Sequence, residues 1–181
     1  LFARRDSIYK QIPGCEVYDQ DRDALTYCGK LPIVAHPPCR AWGNLAHFAK
    51  PRDGEKQLAV WAVEQIRTHG GVLEHPKNSR LWKAMNLPKA DSGRDASGAF
   101  TITVDQRWWG HRANKQTWLY IDGLTGQLPR FECRLDPGTH YIMRHSKTIG
   151  RNINRLRLPT DEREATPRAF AEWLIAVASN C

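Results

Sequence analysis

Short apolar runs alternate with amphipathic stretches along most of the chain. Runs of three to six residues bounded by Gly, Pro, Asp or a charged residue are typical of β-strands, whereas apolar positions three or four apart are typical of helices. Their alternation predicts an α/β fold around a largely parallel sheet. The predicted strands cover residues 1–3, 16–19, 31–36, 71–75, 100–104 and 117–122.

Two stretches carry the strongest helical pattern, residues 55–69 and residues 167–179. A pair of glycines follows the first stretch and predicts its end. In the second, Thr166 is the predicted N-cap and Pro167 the first helical residue. Each stretch has one apolar face, which we expect to cover the sheet.

The composition fits one globular domain over residues 1–181, since 41% of the residues are hydrophobic and 25% are charged. No apolar run approaches the roughly 18 residues that a membrane span needs, and the first ten residues are too polar for a signal-peptide core. These features favour a cytoplasmic protein. The five cysteines form no C-x-x-C pair and no zinc-like pattern with histidine, so neither a disulfide framework nor a metal site is indicated.

The chain is basic, with 27 Lys and Arg against 19 Asp and Glu and a formal net charge of +8. This charge favours polyanionic partners, nucleic acid first. Within an insert over residues 123–158, the stretch 139–158 holds five bases and no acid, and it fits either a phosphate-contacting segment or a solvated basic loop. Those bases are Arg144, Lys147, Arg151, Arg155 and Arg157.

Candidate chemistry begins at a rigid turn after the strand predicted at residues 31–36. Pro37 and Pro38 fix the backbone there, and Cys39 follows them directly. In α/β sheets, ligands bind at the carboxyl ends of the strands, so the Cys39 thiol is a candidate nucleophile. The alternative is a small buried core residue, which is the commoner place for a cysteine.

A carboxylate ends the next predicted strand in a similar way. Glu74 is followed by His75 and Pro76, and it reaches the same sheet edge as Cys39 if the two strands are parallel. There it could hydrogen-bond a nitrogen heterocycle while the thiolate attacks the neighbouring carbon. The alternative is a capping or salt-bridging glutamate.

Cations precede the predicted strand at residues 117–122. Arg112 and Lys115 could hold a phosphate or a base carbonyl near the nucleophile, and His111 could act as an acid or a base. Asp105 and Gln106 could also reach the site. The alternative is a basic hairpin flanked by tryptophans that serve packing.

Taken in order, these segments resemble the catalytic motifs of the DNA cytosine-C5 methyltransferases. Residues 36–39 resemble the Pro-Cys nucleophile loop, residues 73–76 the Glu-Asn-Val strand end, and residues 110–117 the Gln-x-Arg-x-Arg segment. Residues 164–171 resemble the last family motif. Lys115 matches the first arginine of the third motif, and Thr117 stands where the second would be. The chain is also similar to small proteins of phages and prophages, some of them labelled as methyltransferases.

The resemblance implies a Rossmann-like methyltransferase core, with a mostly parallel sheet, a C-terminal antiparallel hairpin and helices on both faces. It implies that Cys39 adds to C6 of a cytosine flipped out of DNA and that Glu74 grips N3 and the 4-amino group, before C5 takes a one-carbon unit. A related pyrimidine is the alternative target base. Arg112 and Lys115 complete the implied catalytic set. The implied ligands of S-adenosylmethionine are Phe2, Asp19, Asp21 and Pro37. The implied DNA contacts are Arg40, His111 and Thr117, with Arg144, Lys147, Arg151 and Arg155.

The chain departs from the family at three places. No glycine follows the first predicted strand, where the family binds S-adenosylmethionine, so methylenetetrahydrofolate is an alternative one-carbon donor. No target-recognition domain fits between residues 123 and 158. The alternatives are therefore a loose sequence preference, or a substrate that is single-stranded DNA or a nucleotide. The family serine after the nucleophile is missing. A catalytically inactive, methyltransferase-like DNA-binding protein therefore remains a third hypothesis.

Overall fold

The computed structural model describes residues 1–44, 46–142 and 156–181. Its main sheet has four strands, and a two-stranded parallel pair lies in the insert. The strands are β1 Ile33–Ala35, β2 Gly71–Pro76, β3 Phe100–Asp105, β4 Gln116–Asp122, β5 His140–Tyr141 and β6 Leu156–Arg157. The helices are α1 Glu55–His69, α2 Leu81–Ala84, α3 Thr160–Glu164 and α4 Arg168–Ala178. Short 3₁₀ turns cover Ile8–Gln11, Ala24–Thr26 and Gln106–Trp109.

The main sheet is mixed, in the order β1-β2-β4-β3. The strands β1 and β2 are parallel, with Ala35 opposite Leu73, while β4 runs antiparallel to both of its neighbours. The α/β class is therefore confirmed, but the prediction of a mostly parallel sheet is wrong. The physical reason is the short connection between β3 and β4, which has no room for a crossover helix and so makes an antiparallel hairpin.

Helices cover both faces of this sheet, as predicted. Successive strand residues point to opposite faces, so Leu73 packs with α1 on one side and Val72 packs with α4 on the other. The α1 face buries Ala62, Val63 and Ile66, and the α4 face buries Phe170, Leu174 and Val177. None of the described helices combines the length and the apolar character that crossing a membrane requires.

Gly71 allows the close approach of β1 and β2. Its φ is 135°, and a Cβ built there would lie 2.1 Å from the backbone oxygen of Ile33. Only a residue without a side chain fits this position. The parallel pairing that brings two strand ends together at the candidate site therefore depends on one glycine.

The predicted strands at residues 1–3 and 16–19 are extended segments rather than assigned strands. The amide of His36 donates to Leu1, and the amide of Ala3 donates to Tyr18, so both segments continue the hydrogen bonding beyond the edge strand β1. Trp109 is buried against α4, as the packing interpretation of the tryptophans expects. The helix predicted at residues 167–179 is α4, which begins one residue later than predicted and has Pro167 at its N-cap.

Candidate active site

Cys39 lies on an exposed turn directly after the carboxyl end of β1. Pro37 is buried beneath this turn, and the Cys39 carbonyl accepts from the amides of Trp42 and Gly43 at 3.0 and 2.8 Å. Hydrogen-bonded backbone therefore holds Cys39 in place, and the residue is exposed. The alternative of a core cysteine does not describe it.

Arg40 anchors the same turn to the start of α1. Its guanidinium donates twice to the buried carboxylate of Glu55, at 2.8 and 2.6 Å, and Glu55 also accepts from the amide of Arg52. Bidentate pairs of this kind fix geometry strongly. Arg40 is an expected DNA contact, but two of its nitrogens already donate to Glu55 and so hold the Cys39 turn in place.

Glu74 lies in β2, two residues before the carboxyl end of the strand, and β2 runs parallel to β1. Its side chain is only 12% exposed, and both of its oxygens accept hydrogen bonds from the protein. His36 Nδ1 donates to Oε2 at 3.0 Å, and Gln106 Nε2 donates to Oε1 at 3.0 Å. Each carboxylate oxygen has a second acceptor position, so one remains on each for a ligand.

The Glu74 carboxylate is ionised at neutral pH. Burial favours the neutral acid, but the hydrogen bond from His36 and the charge of Lys115 outweigh it and lower the pKa of Glu74 to about 2. At neutral pH this side chain can accept hydrogen bonds and cannot donate one. Any proton that it delivers must first come from a neighbour.

The same charges act on the Cys39 thiol. Desolvation by neighbouring protein and the charge of Glu74 raise the pKa of Cys39, whereas Lys115 lowers it. Three of the four residues in the implied catalytic set, Cys39, Glu74 and Lys115, therefore share one electrostatic environment. Lys115 is the cation that favours the thiolate there.

The loop between β3 and β4 places Lys115 and Gln106. Asp105 accepts from the Lys115 amide at 2.8 Å and from the Asn114 side chain at 2.8 Å. Gln106 is fully buried and donates to Thr117 Oγ1 at 3.1 Å as well as to Glu74. Thr117, an expected DNA contact, is thus an internal member of the Glu74 network. Among the described residues, the Gln106 Oε1 has no hydrogen-bond partner.

The structure does not bring Arg112 or His111 into this group. Arg112 forms an ion pair with Glu162 at 2.7 Å and lies 2.8 Å from the His140 ring. His111 is buried, with its Nδ1 2.7 Å from the carbonyl of Ala113. Arg112 therefore ties the insert to α3, and the burial of His111 does not favour a direct DNA contact. Four further expected contacts, Arg144, Lys147, Arg151 and Arg155, lie outside the described residues.

The carboxylates expected to hold S-adenosylmethionine are occupied by the protein. The Asp19 side chain is 4% exposed, forms an ion pair with Lys10 and accepts from the amides of Asp21 and Arg22. The hydrogen bond from Lys10 is the main cause that lowers the pKa of Asp19. Asp21 forms an exposed ion pair with Arg5. Both acids therefore serve their own loop.

The other two expected cofactor residues also serve packing. The Phe2 ring, at a φ of 59°, makes an edge contact with Trp61, and Pro37 is buried under the Cys39 turn. Neither of them, and neither acid, lines the cavity of about 300 Å³ beside His36. These four side chains do not form a site that fits S-adenosylmethionine.

Sequence reasoning assigned no role to His36 or Tyr9, and it left Gln106 without one. The Tyr9 hydroxyl lies 2.8 Å from His36 Nε2, which extends the Glu74 network by one more residue. The sequence does carry a signal for His36. If Ala35 pairs with Leu73, the next residue of each strand is His36 and Glu74, side by side on one face.

Comparisons of the chain with protein-family models, with curated proteins and with solved structures find no match. No relative therefore bears on the function of this site. Across residues 1–44, 46–142 and 156–181, no three His, Cys, Asp or Glu side chains are grouped as a metal site requires.

Proposed function

We propose that this protein modifies cytosine at C5 in DNA through a covalent bond between Cys39 and C6. One observation carries the proposal. An exposed thiol that follows β1 and a carboxylate in the parallel strand β2 share one electrostatic environment with Lys115. A Rossmann-like methyltransferase core belongs to the same proposal, and the parallel pair between helices on both faces supports it.

The residues present account for the first chemical step. The Cys39 thiol loses its proton to water, and the thiolate forms the bond to C6 as the electron pair of the C5–C6 double bond moves towards C4 and N3. Glu74 accepts from the 4-amino group with its remaining lone pairs. The positive charge of Lys115 favours the thiolate and stabilises the negative charge that builds up on the ring.

The one-carbon donor is S-adenosylmethionine or, alternatively, methylenetetrahydrofolate. Either compound supplies the carbon that C5 takes after the thiol has added. Because Phe2, Asp19, Asp21 and Pro37 do not fit a donor site, the adduct at C6 is the step that this geometry supports.

DNA is the proposed partner because the chain carries a net charge of +8, which favours phosphate. A base reaches an exposed thiol only when it has left the stack, at a cost of a few kcal/mol in a duplex and less in a single strand. We therefore expect a single-stranded or mismatched cytosine to react faster than a paired one.

Trapping with 5-fluorocytosine tests this function. Oligonucleotides with 5-fluorocytosine, single-stranded and duplex, are incubated with purified protein and each donor, and adducts are read on denaturing gels. Wild type and Cys133→Ser, a change at another exposed cysteine, should form an adduct, and Cys39→Ser should form none. An adduct that persists in Cys39→Ser, or no adduct of wild type under any condition, would overturn the proposal.

A catalytically inactive DNA-binding protein is the second candidate. It is favoured by the raised pKa of Cys39, which leaves the thiol protonated at neutral pH, and by the two protein hydrogen bonds on Glu74. On this account, DNA binding weakens steeply with salt and is unchanged in Cys39→Ala. Any modified cytosine formed by wild type would exclude it.

A further inference from the structure

The Glu74 network extends through His36 to a buried tyrosine. Tyr9 is 7% exposed, and its hydroxyl lies 2.8 Å from His36 Nε2. On the other side of the ring, Nδ1 lies 3.0 Å from Glu74 Oε2. The 3₁₀ turn Ile8–Gln11, the residue that follows β1, and β2 thus contribute to one hydrogen-bonded chain that ends at the proposed pyrimidine site.

We propose that His36, held in place by Tyr9, is a positioning residue that delivers a proton through Glu74 to N3 of the bound pyrimidine. This inference rests on the proposed function and extends the same site. As the sulfur of Cys39 bonds to C6, the ring gains electron density and N3 becomes basic. A proton at N3 then neutralises the charge that the addition creates.

His36 supplies the proton for this step. The Nδ1–H bond of the doubly protonated ring breaks as Glu74 Oε2 gains the proton, and Glu74 passes that proton to N3. The imidazole is then neutral with its proton on Nε2, where the Tyr9 oxygen accepts it. No other co-reactant is needed, because the proton is the only particle transferred along the chain.

Glu74 alone cannot supply this proton, because it is ionised at neutral pH. Tyr9 is not the source either, since desolvation raises the pKa of its hydroxyl well above the ordinary value. The imidazole between them is the group that can carry the proton. Tyr9 and His36 also line the cavity of about 300 Å³, which gives water a route by which the ring regains its proton.

Several other ionisable groups, on the elements packed against them, surround the hydrogen-bonded residues Tyr9, His36 and Glu74. Glu74 and His75 lie on β2, and Lys115 and Cys39 act on the Glu74 end. Cys15 acts on Tyr9 and lines the same cavity, where the amino group of Leu1 donates to Val34. The pH dependence expected below therefore needs variants that separate His36 from these groups.

Two variants separate proton delivery from hydrogen bonding. His36→Gln keeps a donor for Glu74 and removes the titratable proton, while Tyr9→Phe removes only the hydroxyl. Tyr120→Phe is the matched control, because Tyr120 is also buried and donates to Asp122 at 2.8 Å, outside the Glu74 network. Thermal unfolding of each variant shows whether it is folded.

The first readout is the rate of adduct formation with 5-fluorocytosine DNA across a range of pH. In wild type and Tyr120→Phe we expect the same rate and the same pH profile. His36→Gln should be about tenfold slower or more and should have a different pH profile. Tyr9→Phe should keep the form of the wild-type profile at a shifted position. Histidine ¹⁵N NMR should show a proton on Nδ1 of His36 in wild type and an altered Nε2 signal in Tyr9→Phe.

The outcomes distinguish the proton relay, from His36 through Glu74 to N3, from the proposed function. An adduct of wild type with an unchanged rate and pH profile in His36→Gln would overturn the relay and leave the function standing. A Nδ1 without a proton would also overturn the relay, whatever the adduct shows. No adduct of wild type would overturn the proposed function, and the relay to a pyrimidine with it.

Discussion

The carboxyl ends of β1 and β2 and the N-terminal residues 1–22 both hold a buried carboxylate, but the two regions use it differently. Glu74 accepts from His36 and Gln106, which are 38 and 32 residues away in the chain. Asp19 accepts from the amides of residues two and three positions later. The first arrangement joins separate elements, and the second caps a local loop.

The difference shows which acid has capacity left for a ligand. Asp19 is 4% exposed and bound by an ammonium as well as by two amides, so its charge is already compensated. Glu74 has one hydrogen bond on each oxygen, and its charge acts on an exposed thiol. The residue type at a strand end is therefore a weak guide to a ligand site. The hydrogen-bond partners of the side chain decide whether it can still bind a ligand.

The largest expected effect comes from Gly71, on which the juxtaposition of the two strand ends depends. Gly71→Ala places a Cβ 2.1 Å from the Ile33 oxygen at a φ of 135°. We expect this clash to lower the free energy of unfolding by about 3 kcal/mol or more, measured by urea denaturation. The variant would break the pairing of β1 with β2.

Gly126→Ala is the matched control for this prediction. Gly126 also has a positive φ, 84°, but a Cβ there meets no atom within 4 Å. The cost should be about 1 kcal/mol, from backbone strain alone. Equal losses of stability in the two variants would show that the clash with β1 is not what requires a glycine at residue 71.

A smaller effect is expected at Asp19, whose role we take to be structural. Asp19→Asn should lower the melting temperature and leave any binding of S-adenosylmethionine, measured by calorimetry, unchanged. Because the folded state lowers the pKa of Asp19, the carboxylate stabilises the protein above the ordinary pKa of 3.8. The difference in stability between wild type and Asp19→Asn should therefore shrink as the pH falls below about 4.

Asp21→Asn is the control here, since it removes an exposed ion pair of a kind that contributes little to stability. Its melting temperature should stay close to that of wild type. Loss of donor binding in Asp19→Asn with an unchanged melting temperature would reverse the assignment and return Asp19 to a ligand site.

The sequence predicted the elements better than their directions. Helix α1 spans Glu55–His69, as its apolar spacing and the following glycines indicate, and the four main strands lie within a few residues of their predicted bounds. Strand direction has no signature in period-two patterning, so the antiparallel insertion of β4 between β2 and β3 was missed.

The site was predictable where it depends on strand ends and missed where it depends on cross-strand partners. β1 and β2 are parallel, the condition on which the proximity of Cys39 and Glu74 was predicted, and the charge of Glu74 acts on the Cys39 thiol. Gln106 and Tyr9 reach Glu74 and His36 only through the hairpin and the N-terminal turn. Long-range packing of this kind is not readable from local pattern.

The most direct test of a shared site is the rate at which iodoacetamide labels Cys39 in purified protein at about pH 8. Mass spectrometry follows the tryptic peptide 31–40, which has no other cysteine, and Cys133 in peptide 131–134 is the internal control. Glu74→Gln removes a charge that raises the pKa of Cys39 and should speed labelling about threefold, whereas Lys115→Met should slow it by a similar factor. Unchanged Cys39 rates in both variants would contradict the claim that the thiol, the carboxylate and the ammonium form one site.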